Sequence, residues 1–164
     1  MKRWASLVSL LGVLAVGAGT AAAQGTATAS IHLKAPSSIA VGKPFRVTAS
    51  GHSPTNKGSQ YVLVTFTRHA TCASTAFLSE NRGDFVVPFK NANSNGFVKV
   101  SKGSYSVTSK RVQGNARIKG LLCGYLYAGS QTIGSKPEAH ASRAIKFTRP
   151  FGPVSKASAG KVLN

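Results

Sequence analysis

LLCGYLYAG, residues 121–129, and YVLVTFT, residues 61–67, are the two stretches of the chain that decide its fold. Both carry apolar side chains at odd and even positions alike, which is typical of strands that are covered on both faces inside a sheet. Because side chains alternate along a strand, Cys123, Tyr125 and Tyr127 share one face of the first stretch. We expect these tyrosines to pack in the core or on the sheet surface rather than to stack on a ligand.

The segments around these two stretches carry further strand patterns. SIHLKA (residues 30–35) and KPFRVTASG (residues 43–51) alternate apolar and polar side chains, which indicates strands with one buried face. DFVVPFK (residues 84–90) contains Pro88, which places a strand at a sheet edge or at a bulge. The remaining patterns are FVKVSKGSYSVTS, residues 97–109, interpreted as two short strands around Lys102-Gly103, and SRAIKFT, residues 142–148.

Turn-forming Gly, Asn and Ser residues separate these patterns, and no long segment has the periodicity of a helix. Short strands at close spacing are typical of an antiparallel sandwich. The sequence therefore predicts an all-β fold with about seven strands. The one helical candidate is CASTAFLSE, residues 72–80, which we expect to form two turns beside Cys72.

The chain opens with the features of a secretory signal peptide. Lys2 and Arg3 precede an apolar run, residues 5–18, which is shorter than the roughly 20 residues needed to cross a bilayer. Ala21-Ala22-Ala23 then supplies the small residues that a signal peptidase accepts. We expect cleavage after Ala23, an extracytoplasmic location, either secreted or at the cell surface, and no transmembrane segment in the mature protein.

The predicted cleavage divides the chain into three parts. Residues 1–23 are the signal peptide, residues 24–148 are expected to form the sandwich domain, and residues 149–164 are expected to be a flexible basic C-terminal tail. Without residues 1–23, 19 of the 21 Lys and Arg residues remain against three acidic residues. The mature net charge is therefore about +16 with ordinary ionisation states.

Cys72 and Cys123 are the only cysteines, and both belong to the exported part. Two cysteines in an oxidising compartment most simply form one disulfide. The bridge closes a loop of about 50 residues, which removes roughly 4 kcal/mol of unfolded-state entropy in the chain-entropy model.

Several of these motifs together resemble secreted bacterial immunoglobulin-like domains. VGKPFRVTASG is followed by a central apolar strand with a Cys just beyond it, and LLCGYLY is followed by a closing strand that contains Phe147. The resemblance covers about residues 28–148 and implies an immunoglobulin-like antiparallel β-sandwich and an exported location, but no activity. Val47 and Ala49 stand where antibody-type domains place a Cys, so the disulfide is expected to join a loop to a strand. Leu121 replaces the Tyr expected two residues before Cys123, and the mature chain has no Trp.

The sequence offers little catalytic or metal-binding chemistry. His69 precedes Cys72 by three residues, so a thiol nucleophile with a histidine base is an alternative to the structural disulfide. The histidines lack zinc-site spacing and the acidic residues are too few for hydrolysis by paired carboxylates. We expect no catalytic residues, metal site or cofactor, and therefore no enzyme. The residues concerned are His32, His52, His69, His140, Glu80, Asp84 and Glu138.

Arg82-Gly83-Asp84 forms the tripeptide that some adhesion receptors recognise. A tripeptide recurs by chance, and Asn81 and Gly83 suit a tight reversal that leads into the next strand. We interpret the motif as a turn.

Positive charge is the strongest functional signal. It attracts polyanions, so we predict a non-catalytic exported binding module that associates electrostatically with an anionic cell-envelope or extracellular polymer. Nucleic acid is a weaker candidate because no recognition motif occurs. The alternatives are plain solubility, docking of another exported protein through a sheet edge or the tail, and a small thiol-dependent or hydrolytic enzyme. The predicted polyanion-binding residues are Lys99, Lys102, Lys110, Arg111, Arg117 and Lys119.

Overall fold

The structure, a computed structural model, describes residues 28–54, 58–129 and 134–149. The predicted signal peptide, and all of the predicted C-terminal tail after residue 149, lie outside these ranges. Within the ranges, no helix has the length and apolar character to cross a membrane.

The described residues form eleven strands and one short helix. In chain order these elements are β1 (Ser30–Lys34), β2 (Ser38–Ala40), β3 (Pro44–Phe45), β4 (Thr48–Ser53), β5 (Gln60–Thr67), α1 (Ala76–Asn81), β6 (Phe85–Val86), β7 (Val98–Val100), β8 (Gly103–Thr108), β9 (Val112–Gln113), β10 (Lys119–Ala128) and β11 (Ala139–Thr148).

The six longest strands build two sheets. The first sheet has the order β1-β4-β8, and the second has the order β2-β11-β10-β5-β6, with β7 also paired to β5. All pairings in these sheets are antiparallel except that of β2 with β11. β5 and β10 lie side by side in the second sheet, so the predicted central position of both stretches is confirmed. The all-β, immunoglobulin-like sandwich is also confirmed, because this division of strands between two sheets is the one that such folds share.

The main core lies between the two sheets. Ile31 and Ala49 of the first sheet face Val64 and Leu126 of the second in one buried apolar cluster. The predicted alternation in SIHLKA holds, since Ile31 is buried while its neighbours His32 and Lys34 are exposed. Burying these apolar side chains contributes about 25 cal/mol per Å² removed from water, which is the main force that holds the layers together.

A second, smaller core covers the other face of the second sheet. The segment that carries Cys72 and α1 packs there against Tyr125 and Tyr127 of β10, together with Phe97. Both tyrosines are buried, as predicted. α1 begins at Ala76, later than the predicted segment 72–80, because Thr75 caps it: the Thr75 hydroxyl accepts a hydrogen bond from the Leu78 N–H at 3.2 Å.

KPFRVTASG forms two strands rather than the one predicted. Pro44–Phe45 pairs with β9, whereas Thr48–Ser53 belongs to the first sheet. Ser109 interrupts the ladder between them, because its hydroxyl accepts a hydrogen bond from the Val47 N–H at 2.9 Å. Short pieces of this kind raise the strand number above the predicted value of about seven.

DFVVPFK contributes an edge strand, as predicted. Phe85–Val86 forms β6, which lies at the end of the second sheet beside β5. The chain leaves the sheet around Pro88, and Phe89 then bridges to Ser109.

Candidate functional site

A cleft with a volume of about 760 Å³ opens at one end of the sandwich. Its lining is mainly apolar, and the apolar lining residues are Phe45, Phe66, Phe85, Val87, Val112, Ile118, Leu122 and Phe147. Ligand pockets in proteins are concave, mostly apolar and about 300–1,000 Å³ in volume, so this cleft has the size and character of a binding site.

Three phenylalanines form the interior of the cleft. The Phe147 ring packs edge-to-face on Phe66, with ring centroids 5.9 Å apart, and on Phe45, with centroids 5.7 Å apart. Phe147 and Phe66 lie on the inner faces of β11 and β5, so the cleft is an extension of the main core that the sandwich leaves open. Edge-to-face pairs fix ring orientation, which gives the interior a defined shape.

Residues 112–118 form one wall, and Gly114 holds this wall against the interior. Gly114 is buried, and a Cβ atom added there would collide with the Phe147 ring. The Gly114 carbonyl also accepts a hydrogen bond from the Gly42 N–H at 2.9 Å. Only glycine therefore permits this close approach of backbone to ring.

The C-terminal end of α1 forms part of the opposite wall. Arg82 is the C-cap, and Gly83 follows with a φ of 71°. The Gly83 N–H donates to the Glu80 carbonyl at 2.8 Å, and the Asp84 N–H donates to the Ser79 carbonyl at 3.1 Å. This pair of bonds is the Schellman motif, in which the positive φ favours glycine. Arg82-Gly83-Asp84 is thus the cap of a helix, in keeping with its interpretation as a turn.

The mouth of the cleft carries more positive than negative charge. Arg68, His69, Arg82 and Asp84 line it. The Asp84 carboxylate accepts a hydrogen bond from the Ser79 hydroxyl at 2.7 Å. Among the described residues, neither arginine forms an ion pair, and Arg82 makes only a 3.5 Å contact with the Thr71 carbonyl. Both guanidinium groups are exposed and available to an anion.

The structure separates the six predicted polyanion-binding residues, all of which are exposed. Four of them lie at the cleft end of the sandwich, because they belong to residues 112–118 or lie beside that segment in the sequence. These four are Lys110, Arg111, Arg117 and Lys119. Lys99 lies on β7 opposite Tyr61, at the other end of β5 from Arg68. At about 3.3 Å per strand residue, roughly 20 Å separates these two ends. Lys102, which precedes Gly103, also lies at the far end, because Gly103 pairs with Ser53.

The predicted disulfide between Cys72 and Cys123 is present, with the two Cα atoms 5.7 Å apart. It joins the loop before α1 to β10, a loop-to-strand connection as the sequence indicates. Two hydrogen bonds reinforce it: the Tyr125 hydroxyl donates to the Ala73 carbonyl at 3.0 Å, and the Tyr127 hydroxyl accepts from the Ala76 N–H at 2.7 Å. These contacts fix the segment that supplies His69 and Arg82 to the cleft.

The remaining candidate groups do not assemble into a reactive site. Both cysteines are oxidised, so neither offers a thiol to His69. His140 packs on the Tyr125 ring, with centroids 5.1 Å apart, and partial burial lowers the pKa of its imidazole. In the part of the chain that the structure describes, no cluster of three or more His, Cys, Asp or Glu side chains is placed to hold a metal.

The comparisons with known proteins add only remote likeness to solved structures. Neither protein-family models nor curated proteins give a match. Among solved structures, the chain is similar to the cohesin module from Clostridium perfringens ATCC13124 family 33 glycoside hydrolase. The TM-score is 0.44 and the sequence identity is 10%, over 74% of this chain and 98% of the module. A likeness at this level supports no statement about function.

Sequence reasoning missed the cleft and its two arginines. Phe45, Phe66 and Phe147 come from three strand patterns that indicate only that these side chains are buried. Arg68 and Arg82 lie in a loop and at a helix end, in segments without periodicity. No local signal links these positions, since only the packing of the two sheets brings them together.

Proposed function

We propose that the protein is a non-catalytic binding module that holds an apolar ligand in the cleft between residues 112–118 and the end of α1. The observation that carries this proposal is the open extension of the core, with Phe45, Phe66 and Phe147 lining its interior. Apolar surface gains about 25 cal/mol per Å² when a ligand removes it from water, so an open apolar cleft favours apolar occupants. The few charged side chains stand at the mouth, where they orient a ligand.

Filling the cleft tests this function. Ala116 lines the cleft and is exposed, so Ala116→Trp places an indole in or over the cavity at little cost to folding. We expect one molecule of the neutral fluorescent probe phenylnaphthylamine to bind per chain, and Ala116→Trp to weaken binding at least about tenfold, or 1.4 kcal/mol. Fluorescence titration measures both quantities.

Ala144→Trp is the matched control. Ala144 is exposed on β11 and does not line the cleft, so this variant makes the same chemical change elsewhere. We expect it to bind the probe as the unmodified chain does. Equal affinities for all three proteins, or no saturable binding, would contradict the proposal.

Two finer predictions from the sequence stay predictions. Association with an anionic polymer is compatible with the basic residues that flank the cleft wall, while Lys99 and Lys102 lie too far away to join them. Docking of another exported protein through a sheet edge would use β6, where 58% of the Phe85 side chain is exposed. Because Phe85 also lines the cleft, a partner at this edge would contact the same site.

A further inference from the structure

We infer that the ligand of the cleft is an amphiphile, with an apolar body in the cavity and one anionic head group at the mouth that Arg68 and Arg82 bind. The inference rests on the proposed function and adds the chemical class of the ligand. The head group is a carboxylate, a sulfonate or a phosphate, because these are the groups whose oxygens match a guanidinium.

Two basic side chains lie at the mouth of the cleft. Arg68 and Arg82 both line the cleft from the side of α1, and neither has an ion-pair partner among the described residues. The one carboxylate of the lining, Asp84, already accepts a hydrogen bond from Ser79. The two guanidinium charges still exceed the single carboxylate charge of Asp84, so the lining of the mouth keeps a net positive charge that a neutral or cationic ligand would leave unused.

Two arginines lie next to lining residues of the opposite wall in the sequence. Arg117 lies between Ala116 and Ile118, which both line the cleft, and Arg111 directly precedes the lining residue Val112. Neither of these two arginines lines the cleft itself, so the positive charge of the lining stands on the α1 side, whereas the interior is apolar. Such a division between mouth and interior fits a ligand with one charged end and one apolar end.

Burial decides the orientation of this ligand. Leu122 and Phe147 in the interior are buried, whereas Arg68 and Arg82 are exposed. An anionic group in the interior would lose its hydration without a partner, which is strongly unfavourable. At the mouth it keeps water and gains two guanidinium partners. Exposed ion pairs are weak, so we expect the head group to improve affinity by about tenfold rather than by a thousandfold.

A pair of probes with the same ring skeleton tests the inference on the full chain. Anilinonaphthalene sulfonate has an anionic sulfonate, and phenylnaphthylamine is its neutral parent. We expect the sulfonate to bind about tenfold more tightly at low salt. The double variant Arg68→Gln/Arg82→Gln is expected to reduce this preference, taken as the ratio of the two probes' affinities for the same protein, to about twofold or less.

The double variant Lys99→Gln/Lys102→Gln is the matched control. It removes two positive charges at the far end of the sandwich. The net charge of the protein therefore falls by the same amount as in the arginine variant, while the mouth keeps both arginines. We expect this control to retain the tenfold preference. An equal loss of preference in both double variants would overturn the inference, because the net charge alone would then explain the selectivity.

Displacement of the sulfonate probe by other compounds identifies the chemical class of the ligand. We expect dodecanoate to displace the sulfonate probe, and dodecanol to displace it less effectively. Displacement by polyglutamate but not by dodecanoate would overturn the inference in favour of an acidic chain. If the neutral parent binds but the sulfonate gains nothing, the inference fails and the proposed function stands. If neither probe binds, the proposed function itself fails.

Discussion

At the scale of single residues, the hydroxyl of Tyr127 connects the second sheet to the helix that covers it. Ala76 is the first residue of α1, and the N–H groups at the start of a helix have no partner inside it. Ala76 is buried, and the Tyr127 hydroxyl supplies the missing acceptor at 2.7 Å. A strand side chain on β10 therefore performs a task that a capping residue usually performs.

We predict that Tyr127→Phe destabilises the protein by about 1–3 kcal/mol, the cost of leaving a buried donor without a partner. The aromatic ring and its packing on Phe97, with centroids 5.8 Å apart, are retained, so the loss comes from the hydroxyl. Urea unfolding measures the change. Tyr61→Phe is the control, because Tyr61 pairs with Tyr127 across the sheet and its hydroxyl bonds to no described residue. Equal losses in the two variants would show that the hydrogen bond contributes nothing.

At the scale of elements, the disulfide fixes the segment that supplies one wall of the cleft. Cys72 lies between His69 and Arg82 in the chain, and Cys123 lies on a central strand. The bridge spans a sequence separation of 51 residues. Its main effect in the chain-entropy model is to restrict the unfolded chain, and a loop of this length corresponds to roughly 4 kcal/mol.

We predict that Cys72→Ala/Cys123→Ala lowers the free energy of unfolding by about 3–4 kcal/mol. The same variant should also bind phenylnaphthylamine more weakly, since the wall that carries Arg82 loses its covalent attachment. Urea unfolding and probe titration measure the two effects, and reduction of the unmodified chain with dithiothreitol is the control that should reproduce both. A stability loss with unchanged probe affinity would show that packing alone holds the wall in place.

The strands also show how much of this fold could be predicted from the sequence. The central strands were predictable because a strand covered on both faces has its own apolar pattern, as in residues 61–67 and 121–129. The break in KPFRVTASG was not, because it depends on the hydroxyl of Ser109, which lies 62 positions away. The disulfide followed from the number of cysteines and the predicted compartment. The cleft depends on contacts between distant segments, for which a single sequence has no periodic signal.

At the scale of the whole molecule, the buried tyrosines respond to pH in the alkaline range. Tyr105 belongs to the core between the sheets, and Tyr125 and Tyr127 belong to the smaller core under α1. Burial raises the pKa of all three phenols above their ordinary value of 10.0. Each of the two cores therefore contains a phenol that resists ionisation while the protein is folded.

The direction of the pH effect follows from these raised pKa values. In the unfolded chain the three phenols lose their protons near pH 10, whereas in the folded protein they remain protonated there. Their contribution to stability is therefore fully present below pH 10 and is lost as the pH rises from there towards the folded pKa values. We predict that tyrosinate absorbance rises above pH 10 together with the loss of the near-ultraviolet circular dichroism signal. Because Tyr105 lies in one core and Tyr125 in the other, a single transition in both absorbance and dichroism would show that the two cores unfold together. Complete ionisation of the tyrosines near pH 10 with an intact dichroism signal would instead contradict their burial.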